Sequence, residues 1–458
     1  MKKRLYLFSG VLTLFCLVFF IGHTGISRAT TRFTFNESDV THNHIALDSE
    51  TEARVERYAR QFASWMDGNV PGGMVPSAAI GVVLGDRLVF HHGIRADSTT
   101  QFGIASLSKT FTAVLALRLQ EMKALSLDDP VSEYLPQVVI ERRDLHSNPV
   151  TIHHLLSHTS GIPSCGSRHR IYNIDGRRLS VPEQVHPAGY CYSYSNEGYE
   201  LLMHVIEAAT GKSYAQNIQE QILEPLGMAS STAEFANGTG GIVSTIRDLT
   251  AYAAMLINRG SYRGRVILSE KSFEEMMAQP VELPRTSVDY YYSLSWEVMT
   301  VGGGIDSFYK AGRWFSQASG LQVFPKKKIA FIYLCNPPEH LGDSFMSWRQ
   351  GLTGMLRSLV RNISGDESLC TVWPSLTPGE LRWYEGWYRH IITGETVRIS
   401  LRGGTLFSNG FGSFMPLRTF SSNRFLIDEG RMLHNFVWKD GRVVGLALRR
   451  GYYELVRN

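Results

Sequence analysis

The stretch FGIASLSKTFTAVLALRLQEM, Phe102 to Met122, carries two readings at once. Leu107, Phe111, Leu115 and Leu119 fall four apart and Val114 widens the same face, which predicts a helix from Ser106 to about Met122. Ser106 and Lys109 stand at its start, at i and i+3, so the helix would set a hydroxyl and an amine on one face a turn apart. A serine hydroxyl becomes a competent nucleophile when a neighbour takes its proton. A lysine can be that neighbour if burial or a second cation lowers its pKa. At a helix start the serine's own N–H also points toward a developing oxyanion. Taken alone, Ser-x-x-Lys is a string that chance supplies in a chain of this size.

Working outward, AAIGVVLGDRLVFHHG (78–93) holds two apolar, β-prone runs around Gly85-Asp86, a hairpin signal. Upstream, Val55, Tyr58, Phe62, Trp65 and Met66 recur at helical spacing and predict a helix over 50–67. Downstream, helices are predicted over 196–210, ended by Gly211, and over 213–223, 246–258 and 342–361. The runs LQVFP (321–325) and KIAFIYLCN (328–336) read as strands. Strands thus bracket a long helical middle, the pattern of an α+β domain whose antiparallel sheet is built from both chain ends, flanked by helices and joined to a mainly helical subdomain. After Cys370 the texture changes to short alternating segments such as TVRISL before Gly403-Gly404 and FVWK before Asp440-Gly441. Residues 371–458 therefore read as a separate small all-β barrel or sandwich.

Bulk properties narrow the function classes. A chain of 458 residues with 43% hydrophobic content can bury more than one core. Its net charge of +4 is small and interspersed, so no nucleic-acid partner is expected. Lys2, Lys3 and Arg4 precede an uncharged apolar run from Leu5 to Gly22, the form of an export segment. Ser27 and Ala29 suit a cleavage site, so residues 1–29 are either a removed signal peptide or a membrane anchor, with 30–49 as a linker. Both readings put the rest of the chain outside the cytoplasm. There Cys165, Cys191, Cys335 and Cys370 could pair; Cys165 with Cys191 is the best candidate, against a set of separate buried thiols.

Two further clusters can carry chemistry. PAGYCYSYSNEGYELL puts Tyr194 and Asn196 on a loop before a helix. Tyrosine can relay a proton and asparagine can orient a lysine or a substrate amide, although such a loop can also be packing with Asn196 as a helix cap. YKAGRWFSQASGLQVFP puts Lys310-Ala311-Gly312 at the start of a strand, where the glycine would admit close approach of backbone to substrate and the Arg313 N–H could be a second oxyanion donor.

These three clusters, in this order, resemble the motifs of the serine β-lactamase and penicillin-binding-protein superfamily, most closely its class C-like branch of esterases and D-peptidases. LSLDDPVSEYLP, TIHHLLSHTSGIP, ILEPLGM and GGIVSTIRDL resemble its connecting segments, and the likeness runs over about 50–365. The tail resembles the lipocalin-like module that some members append. The resemblance implies Ser106 as nucleophile, Lys109 as its proton acceptor and Tyr194 as the second acid or base. It implies Asn196, Lys310, Gly312 and the N–H of Arg313 on the substrate side, with Lys310 binding a carboxylate or tuning Tyr194. Whether Lys109 or Tyr194 takes the serine proton first stays open. One departure is the bulky Arg313-Trp314-Phe315, where esterase-like relatives continue with a glycine and a compact turn; it could narrow the cleft or wall it with aromatic rings.

His153, His154 and His158 include a His-x3-His spacing that could hold zinc on a helix, but they sit in the connector that resembles the family's. No metal and no cofactor are expected. The expected activity is an extracytoplasmic serine hydrolase forming an acyl-enzyme with a small-molecule or peptide substrate: a D-peptide, a β-lactam or a small ester. Its rival is a non-catalytic envelope protein that keeps the fold.

Overall fold

The computed structural model describes residues 77–141, 148–164, 169–281, 288–301, 304–337, 376–391, 393–410, 415–421, 424–427, 432–448 and 451–456, with isolated positions between 53 and 64. The expected export segment and linker, the helix expected over 342–361, Cys165 and Cys370 lie outside these residues. Of the helix expected over 50–67, Ala53, Arg57, Arg60, Gln61, Ala63 and Ser64 are described and helical.

The Gly85-Asp86 signal makes its hairpin: β1 (Ala78–Leu84) and β2 (Arg87–Ile94) pair antiparallel. The late strands β3 (Val288–Tyr292), β4 (Glu297–Val301), β5 (Gly304–Trp314), β6 (Gln317–Phe324) and β7 (Ile329–Cys335) complete one antiparallel sheet. Its order is β2-β1-β7-β6-β5-β4-β3, and Ala78 pairs with Cys335, so the two ends of the domain close side by side. β1 and β7 are apolar and buried along nearly their whole length because both faces of the sheet are covered. Helix α3 (Ile246–Ile257) lies across β1 and β7. A β-carbon at Gly81 would come 2.6 Å from Ile246 Cγ2, so a glycine within β1 lets that helix seat.

Helix α1 (Ser108–Glu121) is the centre of the core. The sequence suggests one apolar face; instead Ser108, Lys109, Thr110 and Thr112 are buried along with Phe111, Leu115 and Leu119, as in a helix enclosed on all sides. Its polar groups are met inside the protein: Thr112 Oγ1 lies 2.6 Å from Tyr214 Oη, and Tyr252 Oη donates to Thr110 Oγ1 at 3.1 Å. Helix α2 (Asn196–Thr210) runs from a Ser195 cap to Gly211, which takes φ 68. The helix expected over 213–223 begins as one but widens over Gln219–Leu223, where the Glu224 N–H reaches Gln219 O just ahead of Pro225.

The tail forms a closed eight-stranded barrel, β8 (Gly386–His390), β9 (Thr396–Arg402), β10 (Thr405–Ser408), β11 (Met415–Ser421), β12 (Arg424–Ile427), β13 (Met432–Lys439), β14 (Arg442–Leu448) and β15 (Gly451–Val456). Pairing of Trp387 with Val456 closes it. The Tyr384 ring sits 4.9 Å from Phe425 and 4.8 Å from Phe436, and these side chains with Tyr388, Ile399 and Leu446 form the barrel's own core. Outward-facing Val437, Ala447 and Tyr452 pack on Cys191, and Tyr452 meets Tyr190 edge-on at 5.4 Å. An open groove of about 490 Å³ follows this seam, and none of its lining residues belongs to the Ser106 cluster. The candidate pair Cys165–Cys191 reaches outside the described residues at Cys165; Cys191 is a buried free thiol against the barrel wall, and Cys335 is a second one in β7.

Candidate active site

A tight turn presents Ser106. Phe102 and Gly103 pair with Ser244 and Val243, the Ile104 N–H donates to Ile242 O at 2.9 Å, and the chain then enters a helical turn over Ala105–Leu107 that leads into α1. Ala105 takes φ 46, a left-handed value that is strained for a residue with a β-carbon and re-aims Ser106 at the helix start. On the other side Ser319 Oγ donates to Ile104 O at 2.5 Å. A β-carbon at Gly312 would lie 2.3 Å from Ile104 O and 2.8 Å from Ser106 N, so the glycine is what lets β5 press against the Ser106 turn.

Lys109 is fully buried and its Nζ has three oxygen neighbours: Thr239 O at 2.6 Å, Asn196 Oδ1 at 2.9 Å and Ser106 Oγ at 3.3 Å. Burial, with the Lys310 charge adding to it, holds its pKa well below that of a free lysine; Glu197 opposes this. A neutral amine has two hydrogens and one lone pair. In that neutral form Thr239 O and Asn196 Oδ1, which only accept, would take both hydrogens and leave the lone pair for the Ser106 hydroxyl. The longest of the three contacts is thus the one along which a proton can move from serine to lysine.

Tyr194 approaches Ser106 from the opposite flank, its Oη donating to Ser106 Oγ at 3.0 Å. Burial pushes its phenol up to about 12, with the Ser106 hydrogen bond acting the other way, so it stays protonated at neutral pH. Asn196 does not cap α2; Ser195 does, accepting from the Gly198 N–H at 2.8 Å, which frees the Asn196 carbonyl for Lys109. The Asn196 N–H donates to Ser164 Oγ at 2.7 Å. Lys310 is 3% exposed; its Nζ donates to Tyr292 Oη at 2.5 Å and lies 5.4 Å from the centre of the Tyr194 ring. Burial brings its pKa down to about 8, against the pull of Glu297. Arg313 follows Gly312 in β5, paired with Ala318.

Hydrogen bonds therefore join Ser106, Lys109, Tyr194 and Asn196 in one cluster, with Lys310 beneath the Tyr194 ring and Gly312 against Ser106. Sequence reasoning missed four contributors. The Thr239 carbonyl is a backbone acceptor, held in a turn by Asn237 Oδ1, which accepts from the Thr239 N–H at 3.2 Å and the Gly240 N–H at 3.1 Å. Ser319 is positioned by the register Gly312 to Ser319 across the β5–β6 hairpin. Tyr292 comes from an edge strand with no motif, and Ala105 becomes special only through its φ. The Asn-Gly-Thr-Gly-Gly run at 237–241 was the one available signal for a tight functional turn.

A family model described as Beta-lactamase matches residues 55–351. The chain belongs to the Beta-lactamase family. Among curated relatives, Protein flp of Staphylococcus aureus (strain MW2) is 30% identical over 194 residues, 39% of this chain and 39% of its own length. Penicillin-binding protein 4* of Bacillus subtilis (strain 168) is 33% identical over 165 residues, 31% of this chain and 35% of its own length. The chain thus spans well under half the length of the curated relatives it matches. A solved octameric penicillin-binding protein homologue from Pyrococcus abyssi shares the fold at TM-score 0.50 and 23% identity, over 86% of this chain and 99% of that one.

In this Beta-lactamase-family chain two of the three connector histidines make local structural contacts. His154 Nδ1 accepts from the Thr151 N–H at 3.1 Å and completes a capping box, while His158 turns the other way into the tyrosine cluster. The departure after Gly312 is a hairpin tip: Trp314 and Phe315 are each 61% exposed and meet edge to face at 4.9 Å. Lys310, Gly312 and Trp314 alternate along β5, and Gln317, the cross-strand partner of Trp314, lies against Gly103. The Trp314 side chain therefore leaves the sheet on the Ser106 side, as an aromatic rim rather than a plug.

Proposed function

We propose that the protein is an extracytoplasmic serine hydrolase that acts through an acyl-enzyme on amide or ester bonds. The observation that carries this reading is the double engagement of Ser106 Oγ, by a buried lysine of depressed pKa at 3.3 Å and a protonated tyrosine at 3.0 Å.

Burial moves the two candidate bases in opposite directions, which favours Lys109 as the first proton acceptor. In this mechanism Ser106 Oγ attacks the carbonyl carbon while its proton passes to Lys109 Nζ. The N–H groups of Ser106 and Arg313 receive the oxyanion. The leaving group takes a proton through Tyr194 and departs. Water then attacks the ester carbon, giving a proton to the Tyr194–Lys109 pair, and the acid leaves as Ser106 regains its hydrogen. Asn196 holds Lys109 in place and offers its amide nitrogen to substrate. Lys310 is too enclosed to need a direct substrate contact for its effect: its charge lowers the Lys109 pKa and lies under the Tyr194 ring.

D-peptides, β-lactams and small esters share this chemistry. The printed name of the Bacillus subtilis relative, a penicillin-binding protein, favours donors of β-lactam type, and the Trp314–Phe315 rim favours those with an apolar group beside the scissile carbonyl. Lys2, Lys3 and Arg4 before an apolar run support export, by cleavage or by anchoring. Steady-state assays with nitrocefin, a p-nitrophenyl ester and a D-Ala-D-Ala peptide test the reading. Turnover of at least one that disappears in Ser106→Ala is expected; activity unchanged in that variant would remove its basis.

A further inference from the structure

We propose that His158 is a positioning residue that fixes Tyr194 from behind; this role rests on the serine-hydrolase reading above. His158 is fully buried just past the short helix Ile152–Leu156 and takes φ 56. It holds the loop on both sides of Tyr194. Its carbonyl accepts from the Ser193 N–H at 2.7 Å, and its Nδ1 accepts from the Ser195 N–H at 3.1 Å. Tyr194 stands in sequence between these two bonded residues, its ring centre 4.3 Å from that of the imidazole. Tyr199 and Tyr292 complete the packing at 4.9 and 5.1 Å.

One residue thus holds both chain neighbours of Tyr194, Ser193 and Ser195, and the phenol is left with its 3.0 Å contact to Ser106. The same bond steadies Ser195, the cap of α2, and with it Asn196 at the first helical position. Since Nδ1 accepts, the imidazole hydrogen sits on Nε2, whose position is buried without a hydrogen-bond partner. An imidazole that served as a proton acceptor for serine would have to face Ser106; this one faces the main chain behind Tyr194.

The test compares His158→Asn with His158→Gln. Asparagine is favoured among side chains at a left-handed φ and places its Oδ1 where Nδ1 stands. Glutamine has the same amide, but its oxygen falls near Nε2 and misses the Ser195 N–H. Acylation by a p-nitrophenyl ester or a labelled penicillin should stay within about threefold of wild type in H158N. In H158Q it should fall about 10- to 100-fold in kcat with KM little changed. The Ser195 amide, followed by hydrogen exchange, should be protected in wild type and H158N and exposed in H158Q. The imidazole nitrogen shifts of wild type should report the Nε2–H tautomer.

Equal loss in both folded variants, no loss in either, or an Nδ1–H tautomer would overturn the positioning role and leave the hydrolase reading standing. A wild type inert toward every acyl donor would overturn the hydrolase reading and this role with it, whatever the exchange data show.

Discussion

Lys109 Nζ donates to Asn196 Oδ1 at 2.9 Å, joining the first turn of one helix to the first turn of another 87 residues later. That bond and the one to Thr239 O would take both hydrogens of Lys109 in its neutral form, so the ease of reaching that form depends on Asn196 remaining an acceptor without charge. In Asn196→Asp a carboxylate would sit beside the amine and hold it as an ammonium. Acylation at neutral pH should fall about 100-fold with the fold retained, and should recover as the pH is raised. Stopped-flow acylation across pH checks this; an N196D enzyme with wild-type rates at neutral pH contradicts it.

Lys310 acts on Lys109 through its charge. Removing that charge in Lys310→Met makes Lys109 easier to protonate, so its pKa rises. A higher pH is then needed to free the lone pair, and the acid limb of the acylation profile shifts to higher pH. Lys310 itself discharges near pH 8, so an inflection there in the wild-type profile should vanish in K310M. Matching profiles for the two proteins would remove the electrostatic coupling.

Tyr194 is held protonated, and the proposed mechanism needs it most when water must be activated. Tyr194→Phe keeps the ring and its packing on His158 while removing the hydroxyl. Deacylation should slow by about 10²- to 10⁴-fold, more than acylation does, so that a burst appears and the acyl-enzyme can be isolated. Equal slowing of the two steps would contradict this division of labour.

Gly312 has a steric role that a single carbon tests. In Gly312→Ala the new methyl group meets Ile104 O and Ser106 N, and β5 or the Ser106 turn must shift. Overpacking of this kind costs about 1–3 kcal/mol, and acylation should drop at least about tenfold because the shift falls on the reacting atoms. Thermal unfolding and acylation rates measured together check it. A variant with native rates would mean that the close approach is not required.

Where the chain's signals are local, the sequence was enough. The hairpin at Gly85-Asp86, α2 with its stop at Gly211, and the Ser106–Lys109 pair at the head of α1 rest on propensity and spacing that act within one element. The alternation before Gly403-Gly404 likewise announced an all-β tail. What was not legible depends on pairings between distant segments. Thr239 contributes only a backbone carbonyl, which carries no residue signature. Asn196 could be read as a lysine-orienting group or as a helix cap, because it and its neighbour are both polar; the register decided for Ser195 as the cap. Burial of α1 on all sides could not be read from one apolar face, since its serine, lysine and threonines are satisfied by residues more than 80 positions away, Asn196 and Tyr214 among them. Closure of the barrel rests on the pairing of Trp387 with Val456, which no local pattern encodes.

The central claim is that Ser106 forms a covalent acyl bond, and the most direct measurement is the site of an adduct. Wild type and Ser106→Ala are incubated with a labelled penicillin, a fluorophosphonate and a p-nitrophenyl ester, then weighed intact and digested. The expected result is one adduct per wild-type molecule, on the tryptic peptide Ala96 to Lys109 that contains Ser106, and none on S106A. Equal labelling of both proteins, an adduct on another peptide, or no labelling of wild type by any donor would contradict the account.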